Sequence, residues 1–216
     1  MPTIAIIGGT GPEGRGLGLR FAMAGHGVVL GSRDAVRATE AAAGILQLRP
    51  GLAVTGAVNA NAAQAADWVV LSVPYDGLAS TVEALAAALA GKLVISVVAP
   101  LSFEGGRPRA VQVPEGSAGQ QVARLLPESR VVSAFHHLSA HDLLDPARQL
   151  EGDVVVCGDG TDPKRQVMAL VEQMPALRAV DGGPLENSRY VEELTALLLH
   201  INRRYKAHST IRLLGL

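Results

Sequence analysis

Residues 4–14 read Ile4-Ala5-Ile6-Ile7-Gly8-Gly9-Thr10-Gly11-Pro12-Glu13-Gly14. An unbroken apolar run enters the hexapeptide Gly9-Thr10-Gly11-Pro12-Glu13-Gly14, which matches G-x-G-x-x-G, and a helical pattern starts near Arg15. Alone the hexapeptide says little, because 24 of the 216 residues are glycine. Its place between a strand and a helix makes it informative. Gly9 permits the tight turn, Gly11 lets backbone N–H groups approach a pyrophosphate, and Gly14 lets the helix pack on the strand. Thr10, Pro12 and Glu13 complete the loop, and the unpaired amides at the helix start favour an anion. Leu17, Phe21 and Ala24 supply the inner face of that helix. The stretch predicts the first β-α turn of a Rossmann-type dinucleotide site.

The end of the second strand selects the dinucleotide. An acidic residue there holds the ribose hydroxyls of NAD, but Val28-Val29-Leu30 is followed by Gly31-Ser32-Arg33-Asp34. Arg33 offers a planar cation to a 2′-phosphate, Ser32 a hydroxyl, and Arg37 a second cation one turn later. Asp34 is late for the NAD role and is expected to cap the next helix. NADP is therefore the expected cofactor.

Farther out, short β-branched runs alternate with helical stretches, the order of a parallel sheet covered on both faces. Strands are predicted at 3–7, 28–30, 53–58, 68–73, 93–98, 131–134 and 154–157, with a short one at 178–180. Leu78, Val82, Leu85 and Leu89 form one helical stripe. Residues 102–119 are rich in Gly and Pro without periodicity, as in a lid or an ordered functional loop. A helix is expected after Pro184, with Tyr190, Leu194, Leu197, Leu198 and Ile201 on one face and Glu192 and Glu193 suiting its N-terminal dipole. The predicted class is α/β: a Rossmann-type, doubly wound, mostly parallel sheet with a small C-terminal helical domain. The division is expected as 1–135 for the NADP-binding domain and 136–216 for the smaller one.

Composition narrows the function. A net charge of -1 without a basic run argues against nucleic-acid and anionic-membrane partners. The apolar fraction is 48% but only three Phe, three Tyr and one Trp occur, so the core is aliphatic. Cys157 is the single cysteine. It excludes an intramolecular disulfide and ends the run Val154-Val155-Val156, so it reads as a packed strand residue. Residues 82–101 look membrane-like until Gly91-Lys92 divides them into segments too short to span a bilayer. With no signal peptide before the first strand, a cytoplasmic protein is expected.

Ligands of open parallel sheets bind beyond the carboxyl ends of the strands. Ser72, Val73, Pro74 and Tyr75 follow strand four, Val98, Ala99 and Pro100 follow strand five, and His136 with His137 follows strand six; all are expected to border the reacting ring. His136-His137-x-x-x-His141, with Asp142 and Asp145 nearby, matches no recognised metal-ligand spacing, and no metal is expected.

Further blocks lie at Pro114-Glu115-Gly116-Ser117-Ala118, Val156-Cys157-Gly158-Asp159, Gly183-Pro184-Leu185-Glu186-Asn187-Ser188-Arg189 and Asn202-Arg203-Arg204-Tyr205-Lys206, followed by the tail Ile211-Arg212. Together with Ile7-Gly8-Gly9-Thr10-Gly11, Gly31-Ser32-Arg33, Ser72-Val73-Pro74 and Ala134-Phe135-His136, they resemble the NADP oxidoreductases that use the deazaflavin coenzyme F-420 (F420). The likeness covers nearly the whole chain. It implies reversible hydride transfer between NADP(H) and the deazaflavin, F420 in a cleft between a large and a small domain, and a homodimer. By the same resemblance Thr10, Ser32, Arg33 and Arg37 bind NADP, while His136 and the C-terminal tail line the deazaflavin pocket. His137 departs from the family pattern, which has an uncharged polar residue there, and the tail lacks the glycine before Ile211.

Three other readings share the dinucleotide site: a β-hydroxyacid dehydrogenase, an NADP(H) sensor and a reductase of another acceptor. A β-hydroxyacid dehydrogenase needs a Lys base on the long C-terminal helix with an Asn one turn later, where this chain has Arg189 and Glu193; an arginine stays protonated. A non-enzymatic NADP(H) sensor would keep the dinucleotide site without the second pocket. Hydride transfer asks little of side chains, since alignment alone supplies roughly 7–11 kcal/mol, so His136 is expected to position the ring and no essential acid–base residue is expected.

Overall fold

The computed structural model describes residues 1–216, the side chain of residue 104 excepted. The first strand, β1 (Ile4–Ile7), shows why an all-apolar run becomes a central strand: successive side chains point to opposite faces. Ile4 and Ile6 join one buried cluster with Leu17 and Phe21, and Ala5 and Ile7 join the other with Leu78 and Val82. Covered on both faces, the strand tolerates no polar residue.

The chain continues through α1 (Pro12–Met23), β2 (Val28–Ser32), α2 (Ala35–Leu48), β3 (Val54–Val58), α3 (Asn59–Ala65), β4 (Trp68–Leu71), α4 (Leu78–Leu89) and β5 (Leu93–Ser96). After the hairpin β6 (Leu101–Glu104) and β7 (Arg107–Ala110) come α5 (Ala118–Leu125) and β8 (Arg130–Ser133). The rest is α6 (Ala140–Leu144), β9 (Gly152–Val156), α7 (Thr161–Glu172), β10 (Leu177–Asp181) and α8 (Ser188–Tyr205). The main sheet has six parallel strands ordered β3-β2-β1-β4-β5-β8, the doubly wound Rossmann arrangement. The parallel pair β9 and β10 is tied to it where Ser133 and Cys157 exchange backbone hydrogen bonds of 2.8 and 2.9 Å. Val154, Val156, Val167 and Leu170 share the buried cluster of Leu17 and Phe21, so β9 and α7 pack on the same sheet face as α1, while Leu185 joins the opposite cluster.

Several expectations change. Residues 102–119 are not patternless: β6 and β7 pair antiparallel around Gly105 and Gly106, both with positive φ, as a two-residue hairpin turn requires. The hairpin is held on α8, where His200 Nε2 donates to the Pro108 carbonyl and an Arg203 guanidinium N–H to that of Gly106, each at 2.8 Å. The face assigned to α8 also differs. Tyr190 and Leu197 are 63% and 55% exposed, whereas Val191, Glu192 and Ala196 are buried beside Leu198. The helix is apolar on two sides, and periodicity alone does not say which one meets the core. Glu192 is not a surface dipole partner either. Its carboxylate accepts the Ala118 and Gly119 amides at 2.8 and 3.0 Å, satisfying the start of α5. Burial raises its pKa against the lowering effect of those amides. α8 begins at Ser188, after a short 3-10 turn over Leu185–Asn187 that follows Pro184. Among the described residues no helix is long and apolar enough to cross a membrane.

Candidate functional site

A cleft of about 1220 Å³ runs along the carboxyl ends of the parallel strands. Its floor is the β1–α1 loop. Gly8 turns with φ +76°, and a Cβ there would lie 2.7 Å from the Ser72 carbonyl oxygen and 2.7 Å from Val73 Cγ1. Only glycine fits this turn, because it meets backbone on one side and has φ > 0. Gly9 and Gly14 work behind the wall: a Cβ on Gly14 would come within 2.7 Å of Gly9 Cα, so their closeness seats α1 on β1. Gly11 is different. A Cβ there would meet only the Gly8 carbonyl at 3.8 Å, which leaves its outer side open to a ligand. Gly11, Pro12 and Glu13 form the first turn of α1 on the cleft wall, with Thr10 beside them.

Glu13 is a carboxyl in the first turn of α1. Burial pushes its pKa up to about 8, and its Oε1 has no hydrogen-bond partner among the described residues. It is neutral at pH 7, so it does not oppose an anion at the N-terminus of α1.

The second wall is the end of β2. Ser32 is buried and its Oγ accepts the Asp34 amide at 3.2 Å, which leaves the hydroxyl proton free to donate. Arg33 and Arg37 are exposed on the same cleft. The Asp34 carboxylate accepts the Val36 and Arg37 amides at 2.8 and 3.2 Å, so it caps α2 as its position after the strand indicated. Opposite lie Ser72, Val73 and Pro74 after β4 and Val98 and Ala99 after β5.

Five residues singled out from sequence are not on this wall: Gly9, Gly14, Pro100, His136 and His137. The two glycines serve the turn, and Pro100 is buried. His136 is buried, and Phe135 before it adopts φ +69°, a left-handed conformation a bulky residue rarely takes, with its ring edge-on to Phe21 at 5.7 Å. His136 Nε2 lies 3.0 Å from Ser133 Oγ, and the His136 carbonyl accepts Thr195 Oγ1 at 3.1 Å. Burial, helped by His137, lowers its pKa to about 3. His137 Nε2 donates to the Asp153 carbonyl at 2.6 Å, and burial likewise lowers its pKa. Both imidazoles are therefore neutral near pH 7. Cys157 is buried and its thiol is pushed up to about 11, in keeping with a packing role.

Tyr75 lines the cleft with the strand-four residues, whereas Asn59 lines it without having been singled out from sequence. Asn59 opens α3, and its Oδ1 accepts the Gly8 amide at 3.5 Å while occupying the space a Cβ on Gly31 would need. An Asn directly after a strand was the available signal, but only the sheet order brings β3 near the glycine loop.

Residues 3–100 match the family model described as NADP oxidoreductase, coenzyme F420-dependent. The chain is 38% identical over 212 residues to the F420-dependent NADP reductase of Methanothermobacter thermautotrophicus, covering 95% of this chain and 91% of that protein. It is 40% identical over 213 residues to the F420-dependent NADP reductase of Methanocaldococcus jannaschii, covering 96% and 95%. Among solved structures, that of an Arthrobacter sp. FB24 protein superposes with a TM-score of 0.83 at 28% identity, over 99% of each chain.

Proposed function

This chain belongs to the coenzyme F420-dependent NADP oxidoreductase family, and on that premise we propose that it is an enzyme transferring a hydride reversibly between NADP(H) and F420. The observation that carries this reading is one cleft joining a glycine loop at a helix start to the cationic end of β2, in a chain related to two such reductases over nearly their full length.

The side chains present suit NADP(H). Gly11, Thr10 and the first turn of α1 would hold the diphosphate, with Gly8, Gly9 and Gly14 shaping the turn. Ser32, Arg33 and Arg37 would hold the 2′-phosphate. Ser72, Val73, Pro74, Val98 and Ala99 would wall the nicotinamide. The nicotinamide, when bound, supplies or takes up the hydride. The protein aligns the two rings and excludes water, and no acid–base side chain is required. Residues 136–216 would close the deazaflavin side as a smaller domain. His136, neutral and buried, acts as a positioning residue through Ser133 and Thr195.

A homodimer is the assembly this reading favours. Tyr190, Leu197 and Tyr205 are 63%, 55% and 73% exposed on α8, an apolar face suited to a second copy. A cytoplasmic setting fits the single unpaired cysteine. A net charge of -1 fits small-molecule rather than nucleic-acid partners.

Mixing the protein with NADPH and F420 should bleach the oxidised deazaflavin absorbance, and NADP with reduced F420 should restore it. No change in either direction from pH 5 to 9 would refute the assignment.

Glu13 gives a pH prediction. Its folded pKa of about 8 lies above the ordinary 4.5, so the neutral carboxyl is favoured on folding and the associated stability is lost as pH rises toward 8. Above that point a new negative charge faces the diphosphate. Fluorescence titration should show NADPH affinity falling several-fold between pH 7 and 9.5, while Glu13→Gln should be flat there and melt higher than wild type at pH 8. The ligand's 2′-phosphate, with a pKa of about 6, is already ionised across this range.

A further inference from the structure

Where α6 packs on α1, the C-terminal tail meets α6. His208 Nδ1 lies 2.8 Å and His141 Nδ1 3.4 Å from the same oxygen, Oδ1 of Asp142. The two imidazole rings are 4.4 Å apart. One ligand atom from each of the three residues falls within 4.8 Å of the others. A second cleft of about 370 Å³ opens beside Asp142 and His208.

We propose that His141, Asp142 and His208 bind a divalent transition-metal ion, Zn²⁺ by preference, that clips the C-terminal tail to α6. Two imidazoles and a carboxylate are a donor set for Zn²⁺, and the adjoining cleft has room for water in the fourth position. Bonds of about 2.0–2.1 Å in tetrahedral array separate ligand atoms by about 3.3 Å, near the 2.8 and 3.4 Å between the two imidazole nitrogens and Asp142 Oδ1.

The site is also preorganised. Arg20 reaches from α1 beneath α6, donating to the carbonyls of Leu143, Asp142 and Asp145 at 2.9, 2.6 and 2.6 Å. On the tail side Asn202 Oδ1 accepts the Ser209 amide at 2.7 Å, and the Ile211 carbonyl accepts the Asp153 amide at 2.9 Å. The backbones carrying Asp142 and His208 are thus held from both sides before any ion arrives. Arg148 is the competing cation, with Nε 4.0 Å from Asp142 Oδ2, but its side chain is 60% exposed and free to swing away. Glu151, on the same cleft, pairs with Arg212 and stays clear of the three ligands. A Cβ on Gly16 would lie 2.6 Å from Leu143 Cβ, so α6 rests directly on the helix of the glycine loop. An ion here would stiffen the tail against that helix.

The test uses the full chain stripped with a chelator and dialysed against ZnCl₂ at pH 7.5. Wild type should retain about one Zn²⁺ per chain and show slowed amide exchange over residues 209–213 when loaded. Asp142→Asn and His208→Ala should each retain less than about a fifth as much, with unchanged far-UV circular dichroism. His141→Gln, at an exposed position, provides a third variant should either of those fail to fold. Wild-type zinc well below one per chain, or equal to that of the variants, would overturn the proposal whatever the reductase assay shows. So would amide exchange in the tail that zinc leaves unaltered.

Discussion

Replacing Arg33 with alanine should raise the Michaelis constant for NADPH by about 10- to 100-fold and leave that for NADH within about twofold. The estimate rests on a charge-assisted hydrogen bond to a phosphate being worth about 1.5–3 kcal/mol. Arg33 is exposed at the end of β2 on the cleft wall, so its loss empties no core space and the variant should melt like the wild type. Steady-state kinetics with both nucleotides reads the result directly. Equal effects on NADPH and NADH would mean that the guanidinium does not read the 2′-phosphate. Arg33→Lys should recover only part of the loss, because a point charge lacks the planar fork. Arg37→Ala should act in the same sense, more weakly if Ser32 and Arg33 carry most of the contact.

Gly8→Ala should damage both stability and binding. Its φ of +76° is a left-handed conformation, costing a non-glycine residue about 1–2 kcal/mol. A Cβ would also press on the Ser72 carbonyl at 2.7 Å, where backbone cannot yield cheaply, adding about 1–3 kcal/mol. At about 2–4 °C per kcal/mol for a chain of this size, the melting temperature should fall by about 4–20 °C. NADPH affinity should drop with it, since the displaced loop carries the diphosphate amides. Two controls separate the causes. Gly105→Ala, at φ +58° with nothing near its Cβ, should show only the conformational cost and normal NADPH binding. Gly11→Val should fold normally yet bind NADPH poorly, because its outer side faces the cleft. Calorimetry and NADPH fluorescence on all three distinguish strain from blocked access; a Gly8→Ala protein as stable as wild type would refute the steric argument.

His136 shows where local reading stops. Its position after a strand predicts a place beside the ring, whereas its burial behind a left-handed Phe135 is a feature that only the folded chain reveals. No sequence pattern announces a left-handed phenylalanine, because the strain is tolerated only when packing such as that against Phe21 over-determines it. The β6–β7 hairpin is a contrasting case. Gly105-Gly106 is an ordinary two-residue turn signal, obscured by the prolines and glycines around it.

The chain's own order of residues determined the parallel sheet, the glycine loop, the Asp34 cap and the cationic end of β2. All of these depend on neighbours within a few positions, through strand alternation, helix capping and the conformational freedom of glycine. Tertiary structure alone decided which side of α8 is buried, that Glu192 satisfies the start of α5, and that His208 meets Asp142 across 66 residues of chain. Those outcomes depend on which surfaces meet, and local periodicity cannot tell a side chain what it will face once a helix offers two apolar sides.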